Sequence, residues 1–254
     1  MKLTGVKPEL ANFCAARLQR EPQLFLACQF STPGGQRERF LATQVLLREL
    51  CEAAVALSDA RVAEAKLAWW VEEAVAWASG SERHPLAHGF STPEAATELA
   101  VLTNAVLEWL HAPSPSTLSH LDRWMTPIGE QLARLSGEPA DAKHWRMLWF
   151  ACALRLAAGA NAQLASVIPL DLLARHGRRR SDWLQADAVI VRAIIADCAT
   201  HYPLPLERAR TPALRALLAV EQRWLARLAR GADPSAQRVG IFDTFAAWRA
   251  ARAK

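Results

Sequence analysis

Apolar residues return every three or four positions along almost the whole chain, the spacing that gives a helix one dry face. A first helix is predicted over residues 8–20, and a short one follows Glu21-Pro22. Ser31-Thr-Pro-Gly-Gly35 interrupts the pattern, because proline has no amide hydrogen and glycine reaches positive φ. A long helix is then predicted over residues 36–57. Ser58-Asp59 marks a break and an N-cap for another over residues 60–79. Residues 80–92, which hold His84-Pro85 and His88-Gly89, are expected as a loop. Ser91-Thr-Pro93-Glu94 offers a hydroxyl cap and an early proline for a helix ending near His111. Beyond the loop at residues 112–116, helices are predicted over 117–136 and 139–165. A short helix over 169–176 closes at Gly177, a good C-cap. Helices over 181–201 and 212–230 and a last segment ending near Arg252 complete the chain. Without a repeat, a low-complexity linker or a shift in composition, residues 1–254 are expected to form one domain of eight to eleven helices.

Composition narrows this to an all-α fold. Alanine, leucine and arginine dominate and β-branched residues are scarce. Ala, Leu and Arg lose little side-chain freedom in a helix, whereas β-branched residues lose more. The hydrophobic share of 52% supplies ample material for a core. The 30 Lys and Arg exceed the 25 Asp and Glu by five, which favours anionic partners such as diphosphates or acidic lipid surfaces. Most arginines are spread along helical faces and do not gather in a stripe, so nucleic acid is not expected as a partner.

Cys14, Cys28, Cys51, Cys152 and Cys198 form no CxxC or other close pair, and each lies in an apolar stretch. That pattern suits small buried thiols in a reducing compartment, without disulfides or a metal. The N-terminal MKLTGVKPELANF has no long apolar region, and no uninterrupted apolar run reaches about 18 residues. The expected location is the cytoplasm, with any contact at the inner membrane peripheral.

Two stretches resemble the squalene/phytoene synthase family. In the first, Arg48-Glu49, Ser58-Asp59, Lys66-Leu67-Ala68-Trp69-Trp70 and His84-Pro85 match an arginine-containing helix, a break, a Trp-Trp helix and a downstream His-Pro. The second is Ile168-Pro-Leu-Asp-Leu-Leu-Ala-Arg-His-Gly177, similar to the segment after the family's second metal motif. Weaker echoes are residues 118–135, where the family has a helix with a glycine, and the C-terminal stretch ending in Ala247-Trp248-Arg249. The resemblance implies an isoprenoid-synthase-type helical bundle around a central apolar cavity. Under it, Trp69, Trp70 and Trp124 become candidate cavity-lining residues. Considered as residues alone, bulky aromatics on helices are core.

Active members of that family discharge a prenyl diphosphate with magnesium, a hard cation that takes carboxylate and phosphate oxygens. The family's two motifs each place aspartates four residues apart, on one helix face. Counting back from the Trp-Trp core, the first motif falls on Cys51 and Val55, with Glu52 the nearest acid and Glu49 one turn earlier. The second motif falls near Ala162 and Ser166, inside a run from Ala142 to Leu170 that holds no Asp or Glu. No metal site and no catalytic residue are therefore assigned, and magnesium is expected only if the chain is an active transferase with altered ligands.

Other candidates are basic. Arg37, Arg39 and Arg48 are placed by the resemblance near an anion at the cavity mouth. Arg175, Arg178 and Arg179 belong to the densest cationic cluster, suited to a diphosphate or an acidic headgroup and equally to a solvated turn. His84 and His88 read as loop-surface residues. Glycine patterns for nucleotides and the GxSxG motif are absent from the sequence. The resemblance extends to phytoene-synthase-like assembly factors of respiratory complex I, whose metal motifs are degenerate. It implies a non-catalytic protein that binds a partner protein, an isoprenoid diphosphate or a lipid; the alternative is an active head-to-head prenyl transferase.

Overall fold

The computed structural model describes residues 3–57, 59–81, 83–90, 94–158, 167–181, 187–233 and 239–253. Among them are α1 (Pro8–Arg20), α2 (Pro22–Cys28), α3 (Gly35–Val55), α4 (Ala60–Ala78), α5 (Glu94–His111) and α6 (Leu118–Trp124). These are followed by α7 (Thr126–Ser136), α8 (Ala142–Ala157), α9 (Leu170–Arg175), α10 (Ala188–His201), α11 (Pro212–Leu228) and α12 (Ile241–Arg252). Two 3₁₀ turns, Pro85–Gly89 and Pro139–Asp141, lie between them. No strand occurs among the described residues, so the all-α expectation is met.

α3 is the axis of the molecule. It packs against α1, α2, α4, α5, α7 and α8. Sixteen of its 21 residues are buried, including Phe40, Leu41, Leu46, Leu47 and Leu50. A helix enclosed on every side belongs to the core of a large domain, and each of those large side chains contributes roughly 1.5–3 kcal/mol by leaving water. The outer helices keep one dry face. α1 buries Leu10, Cys14 and Leu18, one per turn, and α5 buries Leu99, Leu102, Val106 and Trp109. Trp109 meets Trp149 of α8 edge-on at 5.6 Å, an aromatic contact between two buried side chains.

Proline and glycine set the joints. Pro22 and Pro212 start α2 and α11, and Asp59 caps α4 by accepting from the Arg61 amide. Gly177, at φ +64°, ends α9 in the left-handed conformation that glycine adopts without strain. The helix expected over residues 117–136 is instead two, α6 and α7, divided at Met125. Pro127 explains the division: its ring opens a new first turn and cannot donate into a continuing one. Likewise the helix expected from residue 139 opens with a 3₁₀ turn before α8. The expected loop 80–92 contains the 3₁₀ turn Pro85–Gly89, held against α1 and α3. The helix expected over 181–201 is described from Ala188. The expected cap at Ser58 and the one at 91–93, with residues 159–166 and 182–186, lie outside the described residues.

Candidate functional site

The positions expected to correspond to the first metal motif lie near the C-terminal end of α3. Cys51 and Val55 are both fully buried there. The Cys51 thiol meets Cys152 of α8, and burial together with that neighbour pushes it well up from its ordinary range. Two positions that a hard cation would need as carboxylates are therefore a protonated thiol and an aliphatic chain inside the core. The nearest acids are already engaged. Arg17 of α1 donates through Nη2 to Glu49 Oε1 at 2.9 Å and to Glu52 Oε2 at 3.0 Å, and a further contact joins its Nη1 to Glu52. Lys66 of α4 adds a 3.3 Å contact to the other Glu49 oxygen.

Deeper in, a second set of charges ties four elements together. Arg48 is enclosed in α3, pairs with Glu21 at the α1–α2 junction and donates to the Gln44 side chain at 2.9 Å. Burial alone would raise the Glu21 carboxyl, but Arg48, Arg155 and Arg17 outweigh it and hold the group below its ordinary range. Burial would likewise lower Arg48, and Glu21 reverses that. Across the interior, Arg155 of α8 pairs with Glu221 of α11 at 2.6 Å and lies 4.1 Å over the Trp224 ring. Charges this far from water persist only when matched, and here Arg48 and Arg155 face Glu21 and Glu221, while Arg17 and Lys66 face Glu49 and Glu52 nearer the surface.

The arginines expected at a cavity mouth have structural duties. Arg37 donates to the carbonyls of Thr4 at 2.6 Å and Ser31 at 2.8 Å, tying the N-terminal segment to the turn before α3. Arg39 donates to the carbonyls of Leu135 at 2.5 Å and Arg134 at 3.4 Å, the open end of α7. Arg48 faces Glu21, as above. In the other cluster, Arg175 lies 3.8 Å from Asp171, while Arg178 and Arg179 follow Gly177 in the turn. Arg180 beside them reaches the Ser114 hydroxyl.

The candidate cavity-lining tryptophans form fasteners. Trp70 is buried and meets Trp69 at 5.0 Å, and both rings pack on His84. Phe13 of α1 closes the group at 4.6 Å from His84. Thus His84 is a packing residue and not the loop-surface side chain expected from the sequence; burial depresses its basicity despite the nearby Glu73. Glu73, fully buried, accepts from Trp77, Arg83 and the His84 amide and was not singled out by sequence reasoning. Trp124 packs edge-on against His120 at 4.3 Å.

Among the described residues, no three His, Cys, Asp or Glu side chains converge as a metal site would require. The second-motif positions, Ala162 and Ser166, lie outside the described residues, and neither carries a carboxylate. The residues at the first motif do not fit magnesium. A cleft of about 510 Å³ lies elsewhere, between α11, α12 and residues 205–209. Leu206, Leu218, Phe242 and Phe245 form its apolar wall, with Arg208 and Arg249 beside them. Sequence reasoning missed it, although the aromatic residues of 241–248 are its visible sign.

No protein-family model and no curated protein matches the sequence. The fold is similar to a solved dehydrosqualene synthase in complex with ligand, with a TM-score of 0.64 at 14% identity. The match spans 96% of this chain and 95% of that one, so the likeness is to the whole isoprenoid-synthase-type bundle.

Proposed function

We propose that this chain uses an isoprenoid-synthase-type fold for binding, not for prenyl-diphosphate condensation, and that it engages a partner protein or an isoprenoid lipid. The observation that carries this reading is the end of α3. Cys51 and Val55 are sealed in the core where carboxylates would be needed, and Arg17 takes the charge of Glu49 and Glu52. Stabilising a departing diphosphate is an electrostatic task that acids on a divalent cation perform. Acids neutralised by an internal arginine are poor ligands for such a cation, because each bond to it must displace a charge-assisted hydrogen bond. The similarity of the first stretch to complex I assembly factors supports assembly of a respiratory complex as the setting.

The test pairs chemistry with physiology. Purified protein incubated with farnesyl diphosphate and magnesium is expected to release no diphosphate above the protein-free rate. A deletion strain is expected to fail in respiratory-complex assembly with unchanged isoprenoid profiles. Diphosphate release that Glu52→Gln abolishes would overturn the non-catalytic reading. Normal assembly in the deletion strain would remove the respiratory setting.

A further inference from the structure

One side of α12 is left bare. The helix packs on α11 through the side that carries Asp243, Ala247 and Ala251, all buried. Its other side shows Ile241 at 80% exposure, Phe242 at 74%, Phe245 at 60% and Trp248 at 42%. At the 3.6-residue period these four fall within an arc of about 120°, and Arg249 and Arg252 fall in the same arc. The aromatic side chains are organised: Phe245 stacks on Trp248 at 5.8 Å, and the Arg252 guanidinium lies 4.4 Å over the Trp248 ring. Leu206, which shares the neighbouring cleft, is completely exposed, and Leu204 is 40% exposed. Single exposed apolar side chains are ordinary, but a cluster of this kind marks an interaction surface.

Charge selects the partner. Residues 201–254 hold ten Lys and Arg against four Asp and Glu, so the positive surplus of the whole chain resides in this last fifth. Its acids are mostly engaged. Asp243 is held by Arg223 and Arg227, each at 2.8 Å, Glu221 pairs with Arg155, and Glu207 contacts Lys143 at 3.1 Å. Arg249 and Arg252 stay exposed beside the aromatic rings.

We propose that α12 and the 204–206 turn form a docking face for an anionic lipid bilayer. Aromatic and aliphatic tips in the same arc as arginines match the depth at which acyl chains give way to headgroup phosphates. A second copy of this face is a poor occupant, since an isologous pairing sets the same positive surplus against itself. Twelve residues make a helix of about 18 Å, too short for a hydrocarbon core of roughly 30 Å, so α12 lies on the surface. None of the described helices is long and apolar enough to cross a membrane. This face belongs to elements other than those that form the α3 site, and the proposal stands independently of the reading given above.

The test is co-sedimentation of the full chain with phosphatidylcholine vesicles, alone or carrying about one third phosphatidylglycerol, a composition rich enough to give a negative surface potential. Binding is expected to be at least about tenfold stronger to the anionic vesicles. It is expected to fall as salt rises from about 0.1 M to about 1 M, where the screening length drops from about 10 Å to about 3 Å. Phe245→Ser/Trp248→Ser and Arg249→Glu/Arg252→Glu should each weaken it about tenfold or more while leaving the melting temperature unchanged, because the side chains are exposed. Equal binding to both vesicle types, no binding to either, or indifference to both double substitutions overturns the proposal. A solution dimer that Phe245→Ser/Trp248→Ser splits, without vesicle binding, assigns the face to a second copy and overturns it as well.

Discussion

Arg48 sits in the wall of α3 with almost no access to water; Glu21 pairs with it, Gln44 accepts from it, and Glu221 adds a further negative charge nearby. Glu21→Gln keeps the shape and removes the counter-charge. We expect it to destabilise the protein by about 3–5 kcal/mol in urea unfolding at neutral pH, since a buried ion then loses its direct partner. Arg61→Ala, at a pair whose arginine side chain is 89% exposed, should change stability by less than about 0.5 kcal/mol. This pairing was not legible in the sequence. Arg48 and Glu21 stand 27 residues apart, and Arg155 and Glu221 stand 66 apart. Helical periodicity says which face of each segment is dry, but it is silent on which charges from different segments meet inside. Cys51 and Val55, in contrast, were legible, because a missing carboxylate is visible without knowing its neighbours.

Single elements were mostly legible, for reasons of local chemistry. The bounds of α1 follow from apolar spacing between Pro8 and Pro22, the end of α12 from apolar spacing alone, and a later glycine closes α9. The α6–α7 division carried its own sign in Pro127, which the strong apolar period around it obscured. Gly129 explains why these helices need a glycine at that point. A Cβ there would come within 2.6 Å of Arg146 Cβ and 2.8 Å of the Ala142 carbonyl. Gly129→Ala is therefore expected to push α7 off α8 and cost about 1–3 kcal/mol, measured by chemical denaturation. The Trp-Trp segment was recognised from its order with the His-Pro, yet its role lay in contacts between α1, α4 and the 85–89 turn.

At the level of the whole molecule, the bundle was legible because the apolar period survives where individual residues do not; 14% identity accompanies a TM-score of 0.64. Its pH response collects groups from many elements. Burial lowers His84, so its neutral form supports folding fully above the unfolded value near 6.5 and that support fades as pH falls. Glu21 and Asp243 are also held low, by Arg48 and by Arg223 respectively against the effect of burial, so their support is lost in more acid solution, below about 4. Cys14 and Cys28 are pushed up to about 12 by burial, so their contribution is complete below the unfolded thiol value and disappears as pH rises through about 12. Melting temperature should therefore plateau between about pH 6.5 and 8.5 and fall on both sides. Calorimetric scans across that range check the shape; a maximum near pH 5 would contradict it.

Among the described residues, six helices surround α3 and bury sixteen of its 21 positions. A spine gripped along most of its length is expected to exchange its amides with solvent only in global unfolding, and hydrogen exchange would read them as one slow class. On that expectation the α3 region meets another body as a fixed relief, a template and not a clasp.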